Sequence, residues 1–149
     1  MGDPNDALFT GTHGMCRVRV LAPGLLHIDL AGHCDDEVYR VVRTAGDAQT
    51  WDGTGLVCFY DTTEMTGFEK SFRLKMMAWQ AETHGRQFQY VLVRSPFVAA
   101  AITAASKFIG GGAQITSNRA KFEALLAAAV ASRRASETAG NVHARLPRL

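Results

Sequence analysis

Asp61, Thr62, Thr63, Glu64, Met65, Thr66 and Gly67 follow directly on the apolar run LVCFY at residues 56–60, and a helical pattern begins at Phe68. In open α/β sheets ligands gather at the carboxyl ends of strands. A carboxylate at the strand end, three hydroxyls and a glycine there could serve phosphoryl chemistry. A phospho-aspartate at Asp61 would need further acids after an early strand and a basic lysine after the last one. The last strand pattern, AQIT, has no lysine at its end, and the first strands read as a hairpin, so this chemistry is set aside. Asp61 is instead read as an acceptor for backbone amides in a turn. Thr62 and Thr63 remain open to modification, since phosphate is tolerated near a helix N-terminus. Thr66, Gly67, Phe68 and Glu69 fit the capping box S/T-x-x-E, in which Thr66 accepts from the Glu69 amide and the glutamate reaches back. Such a cap contributes about 1 kcal/mol by itself, and this reading is preferred to a switch role for Thr66.

Other groups with chemical potential are dispersed. Cys16, Cys34 and Cys58 form no C-x-x-C pair and have no histidine at metal-ligand spacing. An odd count without a framework suggests a reducing compartment, and Cys58 reads as a small core hydrophobe. His13, His27, His33, His84 and His143 pair with no nucleophile and orienting acid at a readable spacing. Gly110–Gly112 follows a helical pattern and precedes a strand, the reverse of a phosphate-binding loop. No catalytic group, metal or cofactor is expected.

The elements that must position these residues follow from period and punctuation. Residues 1–14 read as a flexible lead-in. CRVRVLA and LLHIDLAG alternate in period two and are joined by Pro23–Gly24, which makes a hairpin. DDEVYRVVRTAGDAQ has helical spacing with acids in its first turn. LVCFY is a strand covered on both faces. Phe68, Phe72, Met76, Trp79 and Thr83 then share a helical stripe that ends at His84–Gly85. QFQYVLVR is a strand, Ser95–Pro96 starts an apolar helix over residues 97–109, AQIT is a short strand, and residues 117–134 form an Ala-rich helix. The order is β-β-α-β-α-β-α-β-α: a mixed sheet of about five strands flanked by four helices, in one domain over residues 15–132. Residues 133–149 read as a basic, frayed tail, solvated or docked on an acidic partner.

Bulk properties agree with a single compact domain. The 149 residues are 47% hydrophobic and 20% charged. A formal charge of +2 gives no argument for nucleic acid. No apolar stretch approaches the ~20 residues of a membrane span, and the N-terminal residues carry acids and no signal-like apolar core, so a cytoplasmic location is expected. The helix over residues 97–109 is apolar nearly all round, with Phe97 and Phe108 on its inward face. It either meets a partner or a second copy, or its alanines are simply good helix formers.

The element order, with LLHIDLAG before an acid-led helix, LVCFYDTTEMTGF before a long helix and SPFVAAAITAASKFIGGGAQITSNRAKF after it, resembles the STAS domain of sulphate transporters and anti-sigma-factor antagonists. The resemblance covers about residues 16–130. It implies a domain that does no chemistry and works by binding a protein. Many members carry Asp-Ser-Ser-Gly or Asp-Ser-Thr-Gly at the start of the long helix, and the first hydroxyl residue is the phosphoacceptor. Here the matching residues are Glu64, Met65, Thr66 and Gly67, and methionine cannot be phosphorylated. The expected function is therefore a non-enzymatic regulatory module that binds a partner through Asp61–Gly67, Phe68 and the following helix. The alternative is a carrier of a small apolar ligand, lined by Phe68, Phe72, Met76, Trp79 and Phe108.

Overall fold

Cys16 and Val18 are buried, while Arg17 and Arg19 lie on the opposite side of the same strand. That alternation is what one covered sheet face requires. The computed structural model describes residues 3–49, 55–83, 86–96 and 112–142. Its elements are β1 (Asp6–Thr10), β2 (Gly14–Ala22), β3 (Leu25–Cys34), α1 (Asp36–Ala48), β4 (Leu56–Phe68), α2 (Lys70–Glu82), β5 (Gln87–Leu92), β6 (Gly112–Thr116) and α3 (Arg119–Val142). The six strands form one sheet in the order β1-β2-β3-β4-β5-β6. The first three are antiparallel neighbours, and β3 to β6 run parallel.

The sheet separates two cores. On one face Val38 and Val42 of α1 and Phe72 and Trp79 of α2 pack on Leu26, Ile28, Leu30, Cys58 and Tyr60. On the other, Phe122 of α3 packs on Ala22, Leu25, Phe59 and Leu92. Trp79 occupies the space over Gly46, where an added Cβ would lie 2.5 Å from its indole ring. Gly24, in the β2–β3 turn, has φ +73°, a region that costs glycine nothing.

Three expectations are corrected. The lead-in is not loose: residues 6–10 form β1, paired with β2 from Asp6↔Arg19 to Thr10↔Met15. Its apolar residues are few, but Phe9 packs on the α1–α2 core and anchors it. The sheet thus has six strands, with three helices among the described residues; the apolar helix over residues 97–109, with Phe97 and Phe108 and the proposed dimer contact, lies outside them, as does the His84–Gly85 helix stop. At the other end α3 runs on to Val142, through the first part of the supposed tail. Arg133 is tied down by donating to the carbonyls of Pro23 at 2.8 Å and Gly55 at 3.4 Å.

The third correction concerns residues 61–68. They are not a loop but the second half of β4, paired with β3 as far as Cys34↔Phe68. The capping box does not form, because its partners are used elsewhere. The Glu69 amide donates to the Cys34 carbonyl at 2.8 Å, and the Glu69 carboxylate lies 3.2 Å from His33 Nε2. α2 starts at Lys70 with Glu69 as an N-cap whose side chain makes no capping bond. The working cap is at α1, where Asp35 Oδ1 accepts from the amides of Glu37 at 3.1 Å and Val38 at 3.3 Å. Asp35→Ala is therefore expected to lose about 1 kcal/mol in urea unfolding. Thr66→Ala is expected to lose less than about 0.5 kcal/mol, as an exposed position without a cap should.

Candidate functional site

β4 is longer than its neighbours allow in simple register. From Leu25↔Val57 to Cys34↔Phe68, β3 advances nine positions and β4 eleven, so β4 carries two extra residues. One lies between Asp61 and Glu64, the other between Met65 and Gly67. Each is a bulge, which bends a strand and re-aims its side chains. The first is held by Asp61, whose Oδ1 accepts from the Thr63 amide at 3.0 Å and the Thr63 hydroxyl at 2.6 Å. The expected backbone-capping role of Asp61 is present, within a strand rather than a turn.

On its other side β4 loses its neighbour among the described residues. The ladder to β5 ends at Asp61↔Leu92, and Thr62 Oγ1 closes it by donating to the Leu92 carbonyl at 2.8 Å. Beyond that point Arg94 stands where a strand would be. Its Nε and Nη2 donate to the Thr63 carbonyl at 3.1 and 2.9 Å, and Nη2 also to the Met65 carbonyl at 3.1 Å.

The sequence-predicted site residues divide accordingly. Glu64, Thr66 and Phe68 are exposed; Thr62, Thr63, Met65 and Gly67 are half-buried. Met65 packs against the α1–α2 core, so the residue at the family's phosphoacceptor place points inward. Gly67 lies against His33, whose Nδ1 would be 3.0 Å from an added Cβ. Phe72 and Trp79 are core residues and Met76 packs beside them, whereas Phe68 is 44% exposed and Leu74, one turn into α2, is 47% exposed. Of the described members of the supposed ligand lining, Phe72, Met76 and Trp79 thus fill the core, and Phe68 stands outside it. A groove of about 520 Å³ lies elsewhere, between β1 and α1, lined by Phe9, Thr12, Glu37, Arg40 and Val41 among others.

A charged group, not foreseen from the sequence, holds the α3 side of the same strands. Asp61 pairs with Arg119 at 3.1 Å, and Arg119 with Glu123 at 3.6 Å. Arg119 also donates to Thr63 Oγ1 at 3.2 Å. Arg19 pairs with Asp29 at 2.8 Å, and Asp29 neighbours Asp61 across the sheet. Burial raises the Asp61 carboxyl pKa, but the Thr63 hydroxyl and amide and the Arg119 guanidinium outweigh it, so the net shift is downward. One signal was available in the sequence: Arg119 and Lys121 sit in the first turn of a helix, where the macrodipole disfavours cations. A base in that place calls for a carboxylate opposite.

His27 sits among these charges under Phe122, with ring centroids 6.1 Å apart. Its Nε2 is buried without a hydrogen bond among the described residues, 3.5 Å from Asp29 Oδ1. Burial lowers its pKa. Asp29, Asp61 and Glu123 oppose that, while Arg19 adds to it, and the net shift is downward. Folding therefore favours the neutral imidazole. The unfolded chain protonates first, near pH 6.5. The stability contributed by His27 is complete above that pH and is lost as pH falls from there towards the lower folded value. Between pH 7.5 and 5.5, urea unfolding of the native protein should show a loss that is smaller in His27→Gln.

The arrangement defines a class. The fold is SpoIIAA-like, the STAS fold. No family model and no curated protein matches the chain. Among solved structures, it is similar to an uncharacterised protein of the DUF3478 family with a SpoIIAA-like fold from Shewanella loihica PV-4. The TM-score is 0.54 at 14% identity, covering 81% of this chain and 91% of that one. No helix among the described residues is long and apolar enough to cross a membrane.

Proposed function

We propose that this protein is a non-enzymatic regulatory module that binds a protein partner through the end of β4 and the start of α2, in a reducing, cytoplasmic setting. The observation that carries the reading is Phe68, 44% exposed as the last residue of β4, with exposed Leu74 on the next helix. Large apolar side chains held out on rigid elements are anchors for a partner. Burial pushes the thiols of Cys16 up to about 11 and of Cys34 and Cys58 up to about 12, so none is a thiolate nucleophile at neutral pH. Modification of exposed Thr66 would add charge beside Phe68 and is the regulatory step this reading favours, since inward-facing Met65 offers none.

Quantitative pull-downs from the native cell test this. A partner captured by the natural protein should be lost at least about fivefold with Phe68→Ala and with Thr66→Glu, as truncating an anchor predicts. Equal capture by all three proteins, with unchanged melting curves, would remove the face.

A further inference from the structure

The edge of β4 beyond Asp61 has unusual partners. One side is paired with β3 throughout, but on the other β5 stops at Leu92, and β4 continues for the seven residues 62–68. Strand edges present unpaired amides and carbonyls. Here the exposed groups are met by side chains. The Thr63 and Met65 carbonyls, two residues apart as a strand ladder requires, both receive Arg94, and the Thr63 amide is taken by Asp61. Among the described residues Arg94 donates to carbonyl oxygens, and its charge has no carboxylate within ion-pair distance. A guanidinium spanning two carbonyls is a substitute for strand amides, and a cation with no carboxylate among the described residues has a reason to leave when an acid approaches.

We propose that the edge of β4 between Thr63 and Gly67, without a strand partner among the described residues, is a strand-addition site for an extended, carboxylate-bearing segment of the protein partner, whose acid draws Arg94 off the carbonyls it covers. This rests on the protein-binding reading above and gives the partner a chemistry. Main-chain hydrogen bonds supply affinity in such additions, and alternate side chains supply specificity. Glu64 and Thr66, both exposed, line the entry. The requirement for an acid comes from Arg94 alone, so it can be tested separately from the apolar anchor at Phe68.

The probe is a phage-displayed library of random linear heptapeptides, selected on the immobilised full chain. The tightest peptide is then synthesised and titrated by fluorescence anisotropy. The selected peptides should carry Asp or Glu. Arg94→Glu should weaken binding about tenfold or more, as loss of one charge-assisted hydrogen bond implies, and Arg94→Gln, which keeps the polar size, should weaken it less. N-methylation of the peptide should abolish binding at alternate residues and spare those between, a parity that only a ladder produces. Amides of residues 63–67 should exchange more slowly in the complex. The proposal falls if no peptide is selected, if Arg94→Glu binds as well as the natural chain, or if methylation shows no parity. A cellular partner lost with Phe68→Ala but retained with Arg94→Glu would keep the binding face and remove the edge. Retention by both variants would remove the two together.

Discussion

Trp79→Ala should lower the unfolding free energy by about 3–5 kcal/mol, the range for truncating a large buried aromatic in a packed core. Trp79 is 2% exposed and lies between Gly46 of α1 and the sheet, with Leu56 beside it. It also carries Arg43 over its ring at 5.4 Å, and Arg43 in turn pairs with Asp47 and Glu82 at 2.9 Å each. One side chain therefore fastens α1, α2 and the sheet. The same contact predicts a sign reversal at Gly46. Alanine should stabilise a helix interior by about 1 kcal/mol relative to glycine. Here its Cβ would lie 2.5 Å from two indole carbons, and overpacking of that kind costs about 1–3 kcal/mol. Gly46→Ala should thus be destabilising, and the double variant with Trp79→Phe should recover part of the loss. Urea unfolding checks both statements, with the natural protein, Gly46→Ala, Trp79→Phe and their double variant read as a double-mutant cycle and Trp79→Ala measured beside them.

The second large effect lies at Asp61. Asp61→Ala should cost about 2–3 kcal/mol, because it removes an acceptor shared by the Thr63 amide and hydroxyl and the partner of Arg119. The estimate stays below the range for a fully buried pair because the Arg119 side chain is 53% exposed. Asp61→Asn keeps the acceptor oxygen and should cost less. The carboxyl's folded pKa is held down by Thr63 and Arg119 against the effect of burial. Its contribution is therefore present above the unfolded value near 3.9 and is lost as pH falls through the lower folded value. The gap between the natural protein and Asp61→Asn should be full at pH 7 and should narrow below about pH 3.9. A gap that widens on acidification would contradict the pairing.

Much of the architecture was legible because periodicity reports burial. The alternation in CRVRVLA and LLHIDLAG located β2 and β3, and the Val38/Val42 spacing located α1. The start of α2 was not legible, since local capping chemistry and cross-strand pairing compete for one amide. Glu69 donates to Cys34, thirty-five residues upstream, and no window around Thr66 contains that partner. β1 was missed for a related reason. Its strand character comes from pairing with β2, not from DALFT itself, whose Leu8 is 64% exposed. At the site, Asp61 was found by type and place. Arg94 and Arg119 were not, because each acts across more than 25 residues of sequence on groups that the sheet brings near. The inward turn of Met65 was invisible for a different reason, since a bulge leaves no mark in composition.

The two extra residues of β4 give the strand a reading frame that changes twice. Cys58 and Tyr60 face α1 and α2 from even positions, and so does Met65 from an odd one. Losing a single residue between Asp61 and Glu64 would leave the backbone ladder repairable but would exchange inside for outside over the next few positions. Methionine would be turned to solvent, and a neighbouring polar residue would enter the core. Along a lineage, small insertions and deletions at this point are therefore a route by which a domain of this shape could gain or lose a solvent-facing hydroxyl without altering any letter of the segment itself. Counting along the chain will then misassign the position between relatives. The comparison that matters is which way the side chain opposite Gly32 faces, and that is fixed by the frame rather than by the residue number.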